Sequence, residues 1–101
     1  LNDAALLREK DILTEERADT PCKRLYFAIQ LMYIDPANTA KYREAYEQQA
    51  GEISEAAPSA AKSLANINAE LMQAHIYPAL RLAKKLIEHE EELMKHAQQS
   101  A

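Results

Sequence analysis

The chain has 101 residues, a net charge of −4, a single cysteine and a single glycine, Gly51. So few glycines exclude a Walker loop, a dinucleotide fingerprint and a nucleophile elbow, which need several for close backbone approach. The acidic balance excludes nucleic-acid binding by bulk charge and leaves open a local basic patch.

A chain of this length forms one domain, or part of one, and can bury roughly 65% of its unfolded surface. It therefore needs no disulfide, and Cys22 alone could form none internally. Alanine, leucine, glutamate, lysine and glutamine dominate, and valine and tryptophan are absent, which favours helix over sheet. No apolar run approaches 18 residues, so no membrane span is expected. The first residue is Leu1 rather than a methionine, and an upstream segment lost to cleavage, truncation or disorder is expected.

Residues 1–13 carry two apolar pairs, Leu6-Leu7 and Ile12-Leu13, around the charged Arg8-Glu9-Lys10-Asp11. Neither a period of two nor one of 3.6 is clean, and an extended arm or edge strand is expected there. Thr14 is placed to cap a short turn over Glu15-Glu16-Arg17. The most apolar run follows. Between Thr20 and Asp35, only Lys23, Arg24 and Gln30 interrupt Cys22 to Ile34. Thr20-Pro21 is a helix start and Asp35-Pro36 a stop. A helix apolar nearly all round is expected at the centre of the fold.

A second helix is expected from about Thr39 to Ala56, capped by Asn38 or Thr39, with Tyr42, Ala45, Tyr46, Gln49 and Ile53 on one face. Gly51 inside it marks a kink, a close contact or an early end. Ala56-Ala57-Pro58-Ser59 breaks the chain. A third helix, about Ser59 to Ala74, carries the seam Ala60, Leu64, Ile67, Leu71 and Ala74. A fourth, with Pro78 in its first turn, runs to about His96 as the longest. Ile76, Leu80, Ala83, Ile87, Glu90, Met94 and Ala97 form one line along it. The expected fold is all-α: a bundle of about four helices with a short extended N-terminal arm. Residues 1–19 form the arm and connector, 20–97 the helical bundle and 98–101 a disordered tail.

The chemistry-bearing residues are sparse. His89, Glu92 and His96 share a face at i, i+3, i+7, but the metalloprotease spacing is missing and a wet charged face is the expected reading. His75 is expected at the surface of a helix junction. No acid stands isolated in an apolar stretch and no serine has an evident base, so neither catalysis nor a cofactor nor a metal is expected. The tyrosines are expected to pack with their hydroxyls at the rim. Two basic groups are the candidate binding residues. Arg8, Lys10, Arg17, Lys23 and Arg24 lie in the first quarter, interleaved with six acids. Arg81, Lys84 and Lys85 lie on one face of the fourth helix, ahead of its acid run.

Several segments together resemble the FlbT family, the bacterial flagellum biosynthesis repressors. They are Leu7-Arg8-Glu9-Lys10-Asp11-Ile12-Leu13-Thr14, Ala18-Asp19-Thr20-Pro21, and Lys23-Arg24-Leu25-Tyr26 with Ala28, Gln30, Met32 and Tyr33. Glu55-Ala56-Ala57-Pro58-Ser59 and Ala83-Lys84-Lys85-Leu86-Ile87 with Glu90-Glu91-Glu92-Leu93 also fit. The resemblance covers nearly the whole chain and is loosest from Thr39 to Ile53. It implies a cytoplasmic post-transcriptional regulator that acts on flagellin mRNA near its 5′ untranslated region. Its implied partners are flagellin mRNA and flagellin or FlaF, a second small helical protein. Family members begin with a β-rich segment ahead of the first block, so this chain is expected to be the remainder of a protein whose β-rich N-terminal segment is missing. A helical adaptor binding flagellin or FlaF without direct RNA contact is the alternative. The amount of apolar and aromatic surface on four short helices leads us to expect a homo-oligomer.

Overall fold

The computed structural model describes residues 12–100, with side chains as far as Lys95. Arg8, Lys10 and most of the expected arm lie outside the described residues. Five α-helices form: α1 (Pro21–Ile34), α2 (Thr39–Ala56), α3 (Ala61–Met72), α4 (Ile76–Glu88) and α5 (Glu90–Ser100). Single 3-10 turns, Pro36–Asn38 and Pro58–Ala60, precede α2 and α3. No strand occurs among the described residues.

α1 starts and stops where its sequence says it should. The Thr20 hydroxyl accepts the Lys23 N–H at 3.2 Å, and Pro21 occupies the first helical position. Asp35, held out of helical geometry by Pro36, ends it with its N–H on the Leu31 carbonyl at 2.7 Å. α1 packs chiefly against α2 and α4, and α3 closes the bundle against α4. Neighbours alternate in direction. Arg24, early in α1, reaches Gln49 late in α2, while Tyr42, early in α2, reaches Asp35 at the end of α1. Tyr33 near the end of α1 meets Tyr77 at the start of α4, ring centres 6.1 Å apart. Arg43 of α2 reaches Asn68, late in α3.

Leu25 and Ile29 from α1, Ile53 from α2, Ile67 from α3 and Leu80 from α4 form the fully buried centre, with Cys22 beside them. Each large aliphatic side chain there contributes about 1.5–3 kcal/mol by leaving water. α1 supplies more of this core than any other helix, adding Tyr26, Ala28 and Met32. The connector lies along it as well. The Leu13 N–H donates to Gln30 Oε1 and Gln30 Nε2 donates to the Leu13 carbonyl, both at 2.8 Å. Gln30 thus pairs with an extended backbone as a neighbouring strand would, and this satisfies a buried amide.

Four local expectations are corrected. The fourth predicted helix is two, divided at His89, and α2 is the longest instead. The division lets Glu90, which a continuous helix would carry along the apolar seam, turn its carboxylate onto the start of α1. Neither Asn38 nor Thr39 caps α2 through its side chain. The Asn38 amide donates to Asp35 and the Thr39 hydroxyl to the Pro36 carbonyl. α2 runs through Gly51 without interruption, and nothing stands where a side chain there would project. α3 ends at Met72, and Ala74 takes a left-handed conformation, φ 62°, as the chain reverses. The His75 N–H then closes the end on the Glu70 carbonyl at 2.8 Å.

Candidate functional site

The basic residues singled out in the sequence fall into three situations. Lys23 pairs with Asp19 one turn earlier at 3.3 Å, an exposed contact of small energetic weight. Arg24 is turned onto α2, where its Nε donates to Gln49 Oε1 at 3.1 Å and its guanidinium lies 3.9 Å from Glu52. Arg24 is thus engaged with α2, while Lys23 stays near the surface beside Asp19. Arg17 is exposed in the turn that Thr14 caps, where its own N–H donates to the Thr14 hydroxyl at 3.3 Å. Arg81 and Lys85 are exposed on α4 and make no ion pair among the described residues, whereas Lys84 beside them is engaged within the chain.

Arg81, Lys85 and His89 are four residues apart, so they form one ridge with a rise of about 6 Å per step. This ridge is one wall of a groove between α3 and α4. Ser63 and Asn66 of α3 form the facing wall, and Leu82, Leu86 and Leu93 the floor. The cavity between Ser63 and Leu93 measures about 460 Å³. A smaller one of about 200 Å³ continues it past Arg81 to Glu70 and Pro78. Acidic groups stand at the two ends. Glu92 lies at one, and Glu70, already 3.0 Å from His75 Nδ1, at the other.

A second groove, about 730 Å³, lies between α1 and α2. Phe27, Leu31, Ala28 and Ala45 give it an apolar floor, and Arg24, Lys41, Glu15 and Glu44 form a rim of mixed charge. Among the described residues the two grooves share no lining residue: Arg24 lines one, Arg81 and Lys85 the other, and Arg17 and Lys23 line neither.

Two polar residues that sequence reasoning passed over organise the α1 end of the molecule. Glu90 is only 7% exposed; its Oε1 accepts the Thr20 hydroxyl at 2.5 Å and its Oε2 the Cys22 N–H at 3.1 Å. A carboxylate there satisfies free helix N–H groups and complements the helix dipole. Burial first, and the neighbouring Glu90 second, push the Cys22 thiol up to about 12, so it stays protonated and unreactive. Glu90 was legible in one respect, since it falls on the apolar line of the fourth predicted helix. Gln30 was legible as the one uncharged polar residue in the central apolar run. At the far end of α1, hydrogen bonds from Asn38 and Tyr42 hold Asp35 below the usual carboxylate range. No three His, Cys, Asp or Glu side chains converge on a metal position among the described residues. No described helix is long and apolar enough to cross a membrane.

Comparison with known proteins gives a consistent result. The family described as "Flagellar protein FlbT" matches residues 1–94. A probable flagellum biosynthesis repressor protein FlbT of Rhodopseudomonas palustris is 41% identical over 91% of this chain and 72% of its own length. A counterpart in Bradyrhizobium diazoefficiens is 42% identical over 87% of this chain and 60% of its own. The flagellum biosynthesis repressor protein FlbT of Caulobacter vibrioides is 33% identical over 94% of this chain and 69% of its own. No solved structure matches the chain. With one family matched from the LREKDIL block through α4 into α5, the chain belongs to the FlbT family of flagellar proteins.

Proposed function

We propose that the chain regulates flagellum biosynthesis after transcription, acting in the cytoplasm on flagellin mRNA near its 5′ untranslated region, without catalysing a reaction. The names of its relatives support the regulatory part, since they are called repressors of flagellum biosynthesis. The observation that carries the RNA part is the α4 ridge. In a chain of net charge −4, Arg81 and Lys85 stand exposed on successive turns and make no ion pair among the described residues, a display suited to phosphate. Binding of the protein to flagellin leader RNA, followed against salt, tests this reading. Affinity should fall linearly on logarithmic axes, with a slope of about −0.7 per phosphate contacted on single-stranded RNA. Reversing both charges, Arg81→Glu with Lys85→Glu, should flatten that slope. Salt-independent binding, or no binding at low salt, counts against direct RNA contact.

The α1/α2 groove favours a second reading, a helical adaptor for flagellin or FlaF. Its apolar floor with a polar rim is the form in which a groove accepts an amphipathic helix. Pull-down with flagellin and with FlaF separates the two, and failure with both removes the adaptor. Ile34, Met72 and Tyr77 are exposed at the end of the bundle where α1 and α3 finish and α4 begins, which supports self-association. A monomeric mass by light scattering at high concentration would refute it.

A further inference from the structure

We infer that the α3/α4 groove is a single-strand RNA site, holding one unstacked base beside a backbone carried on the Arg81–Lys85–His89 ridge. The inference rests on the RNA reading above and assigns it a place and a form of RNA. Three features of the groove point there. Its cations are confined to the α4 wall. The about 6 Å rise between Arg81 and Lys85 gives successive phosphates of an extended strand a cation each, and the His89 ring, one turn on at the end of α4, adds a polar contact to the next. Across from them, Ser63 and Asn66 offer a hydroxyl and an amide whose side chains make no hydrogen bond among the described residues. Those groups can read the donor and acceptor pattern of a base edge, which cations alone cannot do. Leu82, Leu86 and Leu93 lie between the two walls, an apolar floor on which a base can rest its face.

The dimensions select against a duplex. A cavity of about 460 Å³ between two helices is the size of a small-molecule pocket. Stacked, paired bases cannot enter it, whereas an unstacked one can. The acids at the ends restrict the path further. Glu92 at one end and Glu70 at the other repel phosphate and leave the ridge between them as the place for the backbone.

The test is anisotropy of labelled short homopolymeric RNAs, one for each base, alone and annealed to their complements. Wild-type protein should bind the preferred single strand about tenfold or more tighter than its duplex, because a duplex must first lose pairing and stacking to place a base in the groove. Asn66→Ala should reduce the preference among the four homopolymers and leave the salt slope unchanged. Lys85→Gln should weaken all four alike and cut the slope by about 0.7. Both residues are exposed, and unchanged thermal unfolding confirms that each variant folds. If wild type binds but holds duplex as tightly as single strand, or if Asn66→Ala leaves the preference intact, the groove assignment is overturned and the RNA reading survives. If wild type binds none of these RNAs, even at low salt, yet binds flagellin leader RNA, the groove assignment falls and the RNA reading survives; if it binds neither, both fall.

Discussion

Replacing Glu90 by alanine removes the acceptor for two groups at the start of α1. The Thr20 hydroxyl loses its partner at 2.5 Å and the Cys22 N–H its partner at 3.1 Å. The buried Cys22 contact is charge-assisted, worth about 1.5–3 kcal/mol against an unpaired donor, whereas the part-buried Thr20 hydroxyl can turn to water and loses about 0.5–1.5 kcal/mol. Part of this is offset in the wild type by the cost of holding a carboxylate that is 7% exposed. The net loss for Glu90→Ala is about 2–4 kcal/mol, a fall in Tm of at least roughly 8 °C for a domain of this size. Glu90→Gln keeps one acceptor and turns an NH2 toward a donor, so it should lose about 1–3 kcal/mol. Thermal unfolding by circular dichroism gives the stability, and amide exchange at Cys22 gives the location, since that N–H is the one released. A Tm shift below about 4 °C for Glu90→Ala, or unchanged Cys22 exchange, would refute the assignment of Glu90 as the cap that joins α5 to α1.

Gly51→Ala should stabilise by about 1 kcal/mol, because the helix is uninterrupted there and the new methyl meets nothing. Ala74→Gly should stabilise by a similar amount, about 1 kcal/mol, by relieving a left-handed alanine at φ 62°; chemical denaturation checks both. Gln30→Leu is expected to keep the core filled but release Leu13, seen as faster exchange of the Leu13 N–H, with little change in helix content. The Cys22 thiol titrates near 9.0 when unfolded and at about 12 when folded, so the folded state holds the extra proton between those values. Stability should therefore be intact below pH 9 and fall as pH rises toward 12, and Cys22→Ala should blunt that fall.

α1 was the most legible element because its boundaries are set locally: Thr20, Pro21 and Asp35-Pro36 dictate backbone geometry without help from the rest of the chain. The seam of α3 was legible for the same kind of reason, as period alone places Leu64, Ile67 and Leu71 inside, whereas α4 buries Ala79, Leu80, Ala83 and Leu86 and leaves Ile76 and Ile87 of the expected line partly buried. The turn of Glu90 onto α1 was not legible, because its partner Thr20 is 70 positions away. A glutamate amid Glu88, Glu91 and Glu92 reads as part of a solvated acid run until the start of α1 is known to face it. The candidate site divides in the same way. Composition identified the cations, but whether each is displayed or engaged depends on tertiary neighbours. Arg24 looked like a surface residue and is turned onto Gln49 and Glu52, whereas Arg81 and Lys85 stay displayed. Ser63 and Asn66 carried no signal of their own, because a serine and an asparagine on an exposed helical face become a wall only when α4 lies opposite.

Crosslinking the protein to flagellin leader RNA with flagellin also present, and mapping the modified residues, addresses the function most directly. RNA crosslinks should concentrate between Ser63 and Asn66 on α3 and between Arg81 and His89 on α4, and should vanish with Arg81→Glu and Lys85→Glu. Crosslinks to flagellin alone, centred on Phe27 and Leu31 in the α1/α2 groove with none to RNA, would contradict the account and establish the adaptor in its place.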